Sequence, residues 1–400
     1  MLNTPFSPWP SFTQEEADAV SRVLLSNKVN YWTGTECREF EKEFAAWCGS
    51  EHTIALANGT VALDLALKAL NVGDGDEVVV TTRTFLASAS AIVTAGAVPV
   101  FADVDCDSQD ITAESIRAVV SKRTKAIICV HLAGWPCDMD SIMALAADLG
   151  CYVIEDCAQA HGALYKGRPV GSIGHVGAWS FCQDKIMTTG GEGGMVATND
   201  RDLWSRMWSY KDHGKSWSAV YETKHPPGFR WLHESFGTNW RMTEMTAVIG
   251  RIQLKRMSQW HQARCQNALA ILDVAEQFPT LLRVPRPPEF IEHAWYKCYL
   301  FVRIEGLGVG WSRDLIMNEI NRHGVPCFSG TCSEVYLEKA FENTGWRPKK
   351  RLPIAKELGE TSLMFLVHPT LTQQEITKTC NVLSEVMQKA ISPRRDGVDH

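Results

Sequence analysis

Short apolar runs alternate with amphipathic segments over the first two thirds of the chain. Runs such as Val78–Val80 and Ile127–Val130 contain no polar residue except a thiol, which is typical of strands buried on both faces. The segments between them have apolar residues three and four positions apart, which is typical of helices. The pattern predicts strands at 77–81, 98–102, 126–130 and 151–155, and helices at 14–25, 36–48, 61–70, 84–95, 111–120 and 139–149.

These strand–helix–strand units predict an α/β fold with a mainly parallel sheet between helices, in which ligands bind at the carboxyl ends of the strands. We therefore predict a large domain of residues 1–255 and a smaller C-terminal α/β domain of residues 256–400, which ends in a frayed tail at Pro393–His400. The elements predicted after the large sheet are helices at 243–259, 262–276, 312–323 and 372–390 and a strand at 296–302.

Composition argues against several classes of protein. The 400 residues are 45% apolar and carry a net charge of -6, so no general basic field attracts nucleic acid or an anionic membrane. The first residues lack the basic and apolar segments of a secretory leader, so none is expected, and no apolar run approaches the roughly 18 residues of a membrane span. The 13 cysteines form no C-x-x-C pair, which favours reduced thiols over disulfides or a metal site and predicts a cytoplasmic protein.

A single lysine stands between two strand-like runs. The runs Gly177–Cys182 and Gly194–Thr198 flank Lys185, and four of the five residues 190–194 are glycine. Glycines let the backbone turn where a Cβ would clash, so the pattern predicts a rigid loop that presents Lys185 to a ligand. The alternative, which this stretch alone leaves open, is a hairpin whose lysine is solvated.

Two further turns carry candidate ligand-binding groups. At Asn58-Gly59-Thr60 a strand is followed by a helix, whose free N–H groups and the Thr60 hydroxyl make an anion site. Asp156 leaves an apolar strand, so its charge needs a cationic or hydrogen-bonding partner, and Gln159 and His161 follow within one turn. The alternative for Asp156 is a cap on the next helix.

One aromatic turn is a weaker candidate. Tyr31 lies in the segment Asn30–Gly34, which carries two aromatic residues and turn-forming neighbours. Such a turn can line a pocket, and it can equally pack into the core. Tyr31 is therefore a candidate substrate contact with a core position as its alternative.

The order of these residues, Gly59-Thr60, Phe85, Asp156, Gln159, Ser180 and Lys185, is similar to that in fold-type I pyridoxal-phosphate (PLP) enzymes. The resemblance narrows to the nucleotide-sugar aminotransferases of the DegT/StrS type, among which perosamine synthases and acetamido-sugar synthases are the nearest likenesses. It is strong over residues 12–260 and weaker to about residue 390. The motifs that carry it are Glu155–Gly162 (EDCAQAHG), Thr188–Val196 (TTGGEGGMV) and Gly237–Glu244 (GTNWRMTE).

The resemblance implies a role for each residue. Lys185 would hold PLP covalently and then move a proton as general acid and base, and Asp156 would keep the ring nitrogen protonated. Phe85 would stack on the ring, and Gln159 would bond its phenolic oxygen. The phosphate contacts would be Gly59, Thr60 and Ser180, with Asn239 reaching the site of the partner subunit.

The implied protein is a homodimeric aminotransferase with shared active sites. It would move an amino group from L-glutamate to a keto carbon, with C4 favoured, of a nucleotide-linked keto-deoxy sugar in polysaccharide, O-antigen or lipopolysaccharide biosynthesis. Arg241 would meet the donor carboxylate. Asn239 has an alternative role as the cap of a helix starting near Met242.

Three rival functions are weighed against this one. A PLP-dependent sugar dehydratase has the same fold but lacks the cofactor-binding lysine, so Lys185 counts against it. A non-catalytic regulator would keep the sheet and lose the site, whereas the site residues are intact. A nicotinamide dehydrogenase is disfavoured because the glycines at 190–194 precede a strand and not a helix.

Three positions depart from the family pattern. Arg83 stands where proline or serine is frequent, and this is expected to alter a sugar or phosphate contact. The pair Gly190-Gly191 adds one glycine, which is expected to reshape the loop carrying Lys185. The segment Gly324–Tyr336 lacks the Tyr-Pro pair that is frequent in the family, so the resemblance does not indicate which sugar this chain accepts.

Overall fold

The structure is a computed structural model that describes residues 5–391. Its helices are α1 Gln14–Leu25, α2 Glu36–Cys48, α3 Gly59–Ala69, α4 Leu86–Thr94, α5 Ala113–Arg117, α6 Met139–Leu149, α7 Arg201–Lys211, α8 Glu244–Ala275, α9 Arg313–Arg322, α10 Pro353–Thr361 and α11 Gln373–Ile391. Its strands are β1 His52–Leu56, β2 Glu77–Thr81, β3 Val98–Ala102, β4 Thr124–Val130, β5 Tyr152–Asp156, β6 Leu164–Tyr165, β7 Arg168–Pro169, β8 Val176–Ser180, β9 Gly194–Thr198, β10 Leu282–Arg283, β11 Ile291–Glu292, β12 Cys298–Val302, β13 Cys327–Phe328 and β14 Ser362–Phe365.

Seven strands form the central sheet in the order β1-β9-β8-β5-β4-β2-β3. All of them run in one direction except β9, which is antiparallel to both of its neighbours. Residues of α2, α6 and α8 pack in a core on one face, and residues of α3, α4 and α7 pack in a second core on the other. This arrangement confirms the predicted α/β fold, and it brings the carboxyl ends of β1, β2, β5 and β8 to one edge.

A smaller antiparallel sheet of order β10-β12-β14-β13 packs with α9, α11 and the second half of α8. The prediction of two helices at 243–259 and 262–276 is wrong, because α8 is continuous over 32 residues. No glycine or proline interrupts the chain between 251 and 275, so nothing breaks the helix there. The domain boundary near residue 255 remains a prediction. That residue lies inside α8, which packs into a core of the large sheet and into the core of the small sheet.

The two chain ends differ in what the structure describes. The predicted capping box at the start of α1 is present, with the Thr13 N–H donating to Glu16 Oε2 at 2.9 Å. The predicted tail at Pro393–His400 lies outside the described residues. Within residues 5–391, no helix is both long and apolar enough to cross a membrane.

Candidate active site

Lys185 lies in the loop that connects β8 to β9, the two strands predicted on either side of it. Its side chain is only 17% exposed, so it is not a solvated hairpin lysine. The Nζ atom lies 5.1 Å from the ring centroid of Tyr296 and 3.7 Å from Asp184 Oδ1. The indole Nε1 of Trp9 donates to the Lys185 carbonyl at 2.8 Å and so holds the loop from the N-terminal side.

The turn after β1 packs directly against the end of β8. A Cβ on Gly59 would lie 2.5 Å from the Cβ of Ser180, so only glycine allows this approach. Asn58 caps α3, since its Oδ1 accepts from the Val61 N–H at 3.0 Å. The amides of Gly59 and Thr60 precede the first intrahelical bonds and point out of the helix with the Ser180 hydroxyl nearby, which makes an anion cradle.

Asp156 ends β5 at the same edge of the sheet and is 6% exposed. Its carboxylate accepts from the Ser88 hydroxyl at 2.8 Å and from the Ala158 N–H at 3.1 Å. Burial raises the pKa of the Asp156 carboxyl, while these hydrogen bonds and the charge of Lys185 oppose the rise. The carboxylate has no ion pair with any residue in the described range, so a bound cation would stabilise it.

Gln159 and Phe85 face the same region with groups that can still bind. Gln159 Oε1 accepts from the Ala133 N–H at 2.8 Å, which leaves the amide nitrogen as a donor. Phe85 precedes α4 and is 69% exposed, although large aromatic rings are usually buried. Phe85 lies three residues before Ser88, whose hydroxyl bonds Asp156, so the exposed ring belongs to the same end of the sheet as the buried carboxylate. An exposed ring, a buried carboxylate and an anion cradle suit a flat, phosphorylated, cationic ligand.

The family comparison agrees with this geometry. The model of the family described as the DegT/DnrJ/EryC1/StrS aminotransferase family matches residues 10–384. The chain belongs to this family. It is therefore an aminotransferase, and it has the fold of the PLP-dependent enzymes.

Relatives of this aminotransferase match along nearly their whole length. The chain is 33% identical to a GDP-perosamine synthase of Escherichia coli O157:H7, covering 94% of this chain and 96% of that protein. It is 35% identical to a UDP-N-acetyl-3-dehydro-alpha-D-glucosamine 3-aminotransferase of Acidithiobacillus ferrooxidans, covering 96% of each. The X-ray structure of an aminotransferase from Psychrobacter cryohalolentis is 66% identical with a TM-score of 0.96, covering 96% of this chain and 100% of that one.

The cofactor of the aminotransferase is PLP. The residues fit it on three structural observations: a cradle at Gly59 that a Cβ would fill, the exposed ring of Phe85, and the buried, unpaired carboxylate of Asp156. In these positions Gly59, Thr60 and Ser180 would hold the phosphate, and Asp156 would pair with the protonated ring nitrogen.

The loop Gly237–Glu244 lies beside the phosphate cradle of its own chain, because the Ala57 N–H donates to the Trp240 carbonyl at 3.0 Å. Arg241 Nη1 bonds Asp212 Oδ1 at 2.7 Å, and Asp212 is fully buried. Asp212 engages only Nη1, and Arg241 Nε has no hydrogen-bond partner among the described residues, so the guanidinium keeps donors for a carboxylate and the predicted donor contact stays a prediction. The cap of α8 is Thr243, so the alternative role of Asn239 as that cap is wrong.

Tyr31 does not reach the site, which contradicts the predicted substrate contact. Its side chain is 1% exposed, and its hydroxyl donates to Glu41 Oε2 at 3.2 Å and accepts from Trp208 Nε1 at 3.3 Å. The ammonium of Lys211 lies 3.5 Å from the ring centroid. The core alternative for Tyr31 is therefore the one observed.

Arg83 is likewise no ligand contact in this structure. It is fully buried, its Nε donates to Gln109 Oε1 at 2.9 Å, and its guanidinium lies 5.6 Å from the ring centroid of Tyr299. The expected alteration of a sugar or phosphate contact by Arg83 stays a prediction. Its position suits a structural role, since it links the β2–α4 junction to the small sheet.

Sequence reasoning missed the role of Glu155, the residue before Asp156. Its carboxylate accepts from three N–H groups of the loop 171–174, at 2.6 to 2.8 Å, and lies 3.0 Å from His131 Nε2. Burial acts to raise the pKa of Glu155, but the bond and charge of His131 and these amides hold it below its usual value. The period-two alternation of strands was the available signal, because it turns Glu155 to the face opposite Asp156.

Glu155 also belongs to the one set of three possible metal ligands found in the described residues, which is His131, Glu155 and Cys157. His131 Nδ1 accepts from the Cys137 N–H at 3.0 Å, while its Nε2 faces Glu155, so both ring nitrogens already have partners. The group therefore braces β5 and has no ring nitrogen left for a metal.

Proposed function

We propose that this protein transfers an amino group from L-glutamate to the keto carbon, with C4 favoured, of a nucleotide-linked keto-deoxy sugar. The observation that carries the proposal is the placement of Lys185, little exposed, at the sheet edge where Asp156 is buried without an ion pair. The names of the relatives support a nucleotide sugar as acceptor. The presence of Lys185 favours amino transfer over the dehydratase and regulator alternatives.

The residues divide the work as follows. PLP, when bound, supplies an aldehyde that takes up the amino group and a ring that stores the electrons released at the donor α-carbon. Lys185 takes the proton from that carbon in the donor half-reaction and, in the sugar half-reaction, supplies a proton to the sugar carbon that receives the amine. It stands for this in the loop between β8 and β9 of the large sheet. Asp156, whose carboxylate accepts from the Ser88 hydroxyl and the Ala158 amide, would supply the negative charge that keeps the ring nitrogen protonated.

We further propose a homodimer in which Asn239 completes the phosphate site of the partner subunit. The sugar product would serve polysaccharide synthesis, including O-antigen or lipopolysaccharide. A cytoplasmic location is supported by the 13 cysteines, all of which are free thiols.

The function is tested by incubating the protein with L-glutamate and a panel of GDP-, UDP- and dTDP-linked 3-keto and 4-keto sugars. We expect one aminated product by mass, together with 2-oxoglutarate. Lys185→Ala is the matched control and should yield neither. Loss of water from the sugar without amine transfer would favour the dehydratase, and no conversion of any keto sugar would contradict the proposal.

The shared site is tested by mixing inactive subunits. Lys185→Ala and Asn239→Asp chains are each expected to be inactive, but in a mixed dimer the trans arrangement places both lesions in one site. The other site is then wild type, so about half the wild-type activity per mixed dimer should return. If subunits exchange and no activity returns, Asn239 acts within its own chain and the shared site is wrong.

A further inference from the structure

Tyr296 lies near two ammonium groups at the edge of the candidate active site. The ring centroid is 5.1 Å from Lys185 Nζ and 4.8 Å from Lys297 Nζ, so the two nitrogens are no more than about 10 Å apart. The Tyr296 hydroxyl donates to Asp184, which also lies 3.7 Å from Lys185. Lys297 follows Tyr296 directly and precedes β12, so the small sheet holds it at the site.

Positive charge exceeds negative charge around Lys297. Arg264 is 1% exposed, and its Nη1 bonds the carbonyls of Trp295 and Tyr296 at 3.4 Å. Among residues 5–391, Arg264 Nε and Nη2 have no hydrogen-bond partner, and the Lys297 ammonium makes no hydrogen bond or ion pair.

The pKa of Lys297 reflects this environment. Burial is the main cause that lowers it to about 8; nearby Asp184 acts to raise it, and Arg264 and Lys185 add to the lowering. An anion bound at Lys297 would relieve the repulsion between these cations and replace the hydration that burial removes.

Resting on the proposed function, we propose that Lys297 binds a carboxylate of the amino donor. The donor nitrogen reacts where Lys185 Nζ lies, and the side-chain carboxylate of glutamate extends about 5 Å from that nitrogen by covalent geometry. A hydrogen bond adds about 3 Å. The side-chain carboxylate, with its hydrogen bond, therefore reaches about 8 Å from the donor nitrogen, which falls inside the limit of about 10 Å on the separation of the two lysine nitrogens. The α-carboxylate lies closer to that nitrogen and has the shorter reach.

The donor half-reaction isolates this contact, because it needs no sugar. The PLP-loaded protein is mixed with L-glutamate or L-alanine, and conversion of the cofactor to its amine form is followed by absorbance. For Lys297→Met we expect the ratio of rate to Kd for glutamate to fall about 100-fold, mainly through Kd, since a partly buried charged contact is lost. Lys297→Arg should recover much of it. Lys389→Met removes an exposed lysine on α11 and should match wild type.

The alanine arm shows which carboxylate is bound. An unchanged ratio for alanine in Lys297→Met assigns the side-chain carboxylate, and an equal fall assigns the α-carboxylate. Binding of GDP and UDP, measured by calorimetry, should be the same in wild type and in Lys297→Met. Lys297→Gln, with its melting temperature and cofactor spectrum compared with wild type, guards against a folding defect.

Two results would overturn the inference alone: a glutamate ratio within about threefold of wild type in both Lys297→Met and Lys297→Gln, or a loss of GDP and UDP affinity with glutamate conversion intact. If the wild-type protein itself shows no conversion with any amino donor, the proposed function fails, and the inference fails with it. The wild-type arm thus separates the two failures.

Discussion

The two sides of the active site differ in how their polar groups are satisfied. On the proposed cofactor side, comprising Gly59, Thr60, Phe85, Asp156, Gln159 and Ser180, the buried Asp156 carboxylate already has two hydrogen bonds. The proposed amino-donor side comprises Arg264, Tyr296 and Lys297. Here two cations lie close together, and two N–H groups of Arg264 have no hydrogen-bond partner among the described residues. The cofactor side lies at the ends of the parallel strands, whereas the donor side comprises Arg264 of α8 and the residues directly before β12 of the small sheet.

This difference matches how long each ligand would stay bound in the proposed function: the cofactor through many cycles, the amino donor for one. A cofactor that stays bound needs a preorganised site, and the parallel strand ends supply fixed positions for it. A donor that binds and leaves in every cycle can be selected by groups that are unsatisfied until it arrives. The four predictions below test this contrast, from the largest expected effect to the smallest.

Lys185→Ala is expected to have the largest effect. Removing the amine takes away the cofactor anchor and the proton carrier together, so turnover should fall by about 10³-fold or more. Borohydride reduction of the wild-type protein, followed by peptide mapping, should place the pyridoxyl mass on Lys185. A pyridoxyl mass on another lysine, or no bound cofactor after adding PLP, would contradict the assignment.

Asp156→Asn removes charge from the cofactor side and keeps its shape. The ring nitrogen would lose its anionic partner, so turnover should fall by about 10²-fold while the protein remains folded and retains some PLP. Steady-state kinetics and the cofactor absorbance give the two measurements. Near-normal turnover would show that Asp156 serves only as a hydrogen-bond acceptor for the turn.

The donor side should respond to pH through Lys297. Its pKa in the folded protein is about 8, below its ordinary value, so the ammonium that binds a carboxylate is lost as pH rises above 8. The apparent Kd for glutamate should then rise by up to about tenfold per pH unit, because one proton is linked to binding. In Lys297→Arg this rise should disappear, and its persistence there would assign it to another group.

Tyr31→Phe should have the smallest effect and should touch neither side. The change removes the hydroxyl bonded to Glu41 and Trp208, so the free energy of unfolding should fall by about 1 kcal/mol. Denaturant unfolding measures this loss, and the Kd for glutamate should stay at its wild-type value. A higher Kd with unchanged stability would return Tyr31 to the substrate site.

The sequence predicted the cofactor side better than the donor side for a physical reason. Strands and helices follow from local periodicity, and parallel strands bring their carboxyl ends together, so Asp156, Ser180 and Lys185 could be expected at one edge. Lys297 is 112 positions from Lys185, and no local pattern relates the two. Their proximity depends on how the small sheet docks beside the hairpin.

By itself, the sequence determined the α/β class, the succession of strands and helices along the first two thirds of the chain, and the loop that carries Lys185, because these depend on neighbours along the chain. Only the tertiary structure decided the partners of buried charges. Arg241 and Tyr31 both belong to motifs or turns that indicated a ligand, yet Asp212 and Glu41 hold them in the protein. A buried polar group must find a partner, and which one it finds depends on packing between distant segments.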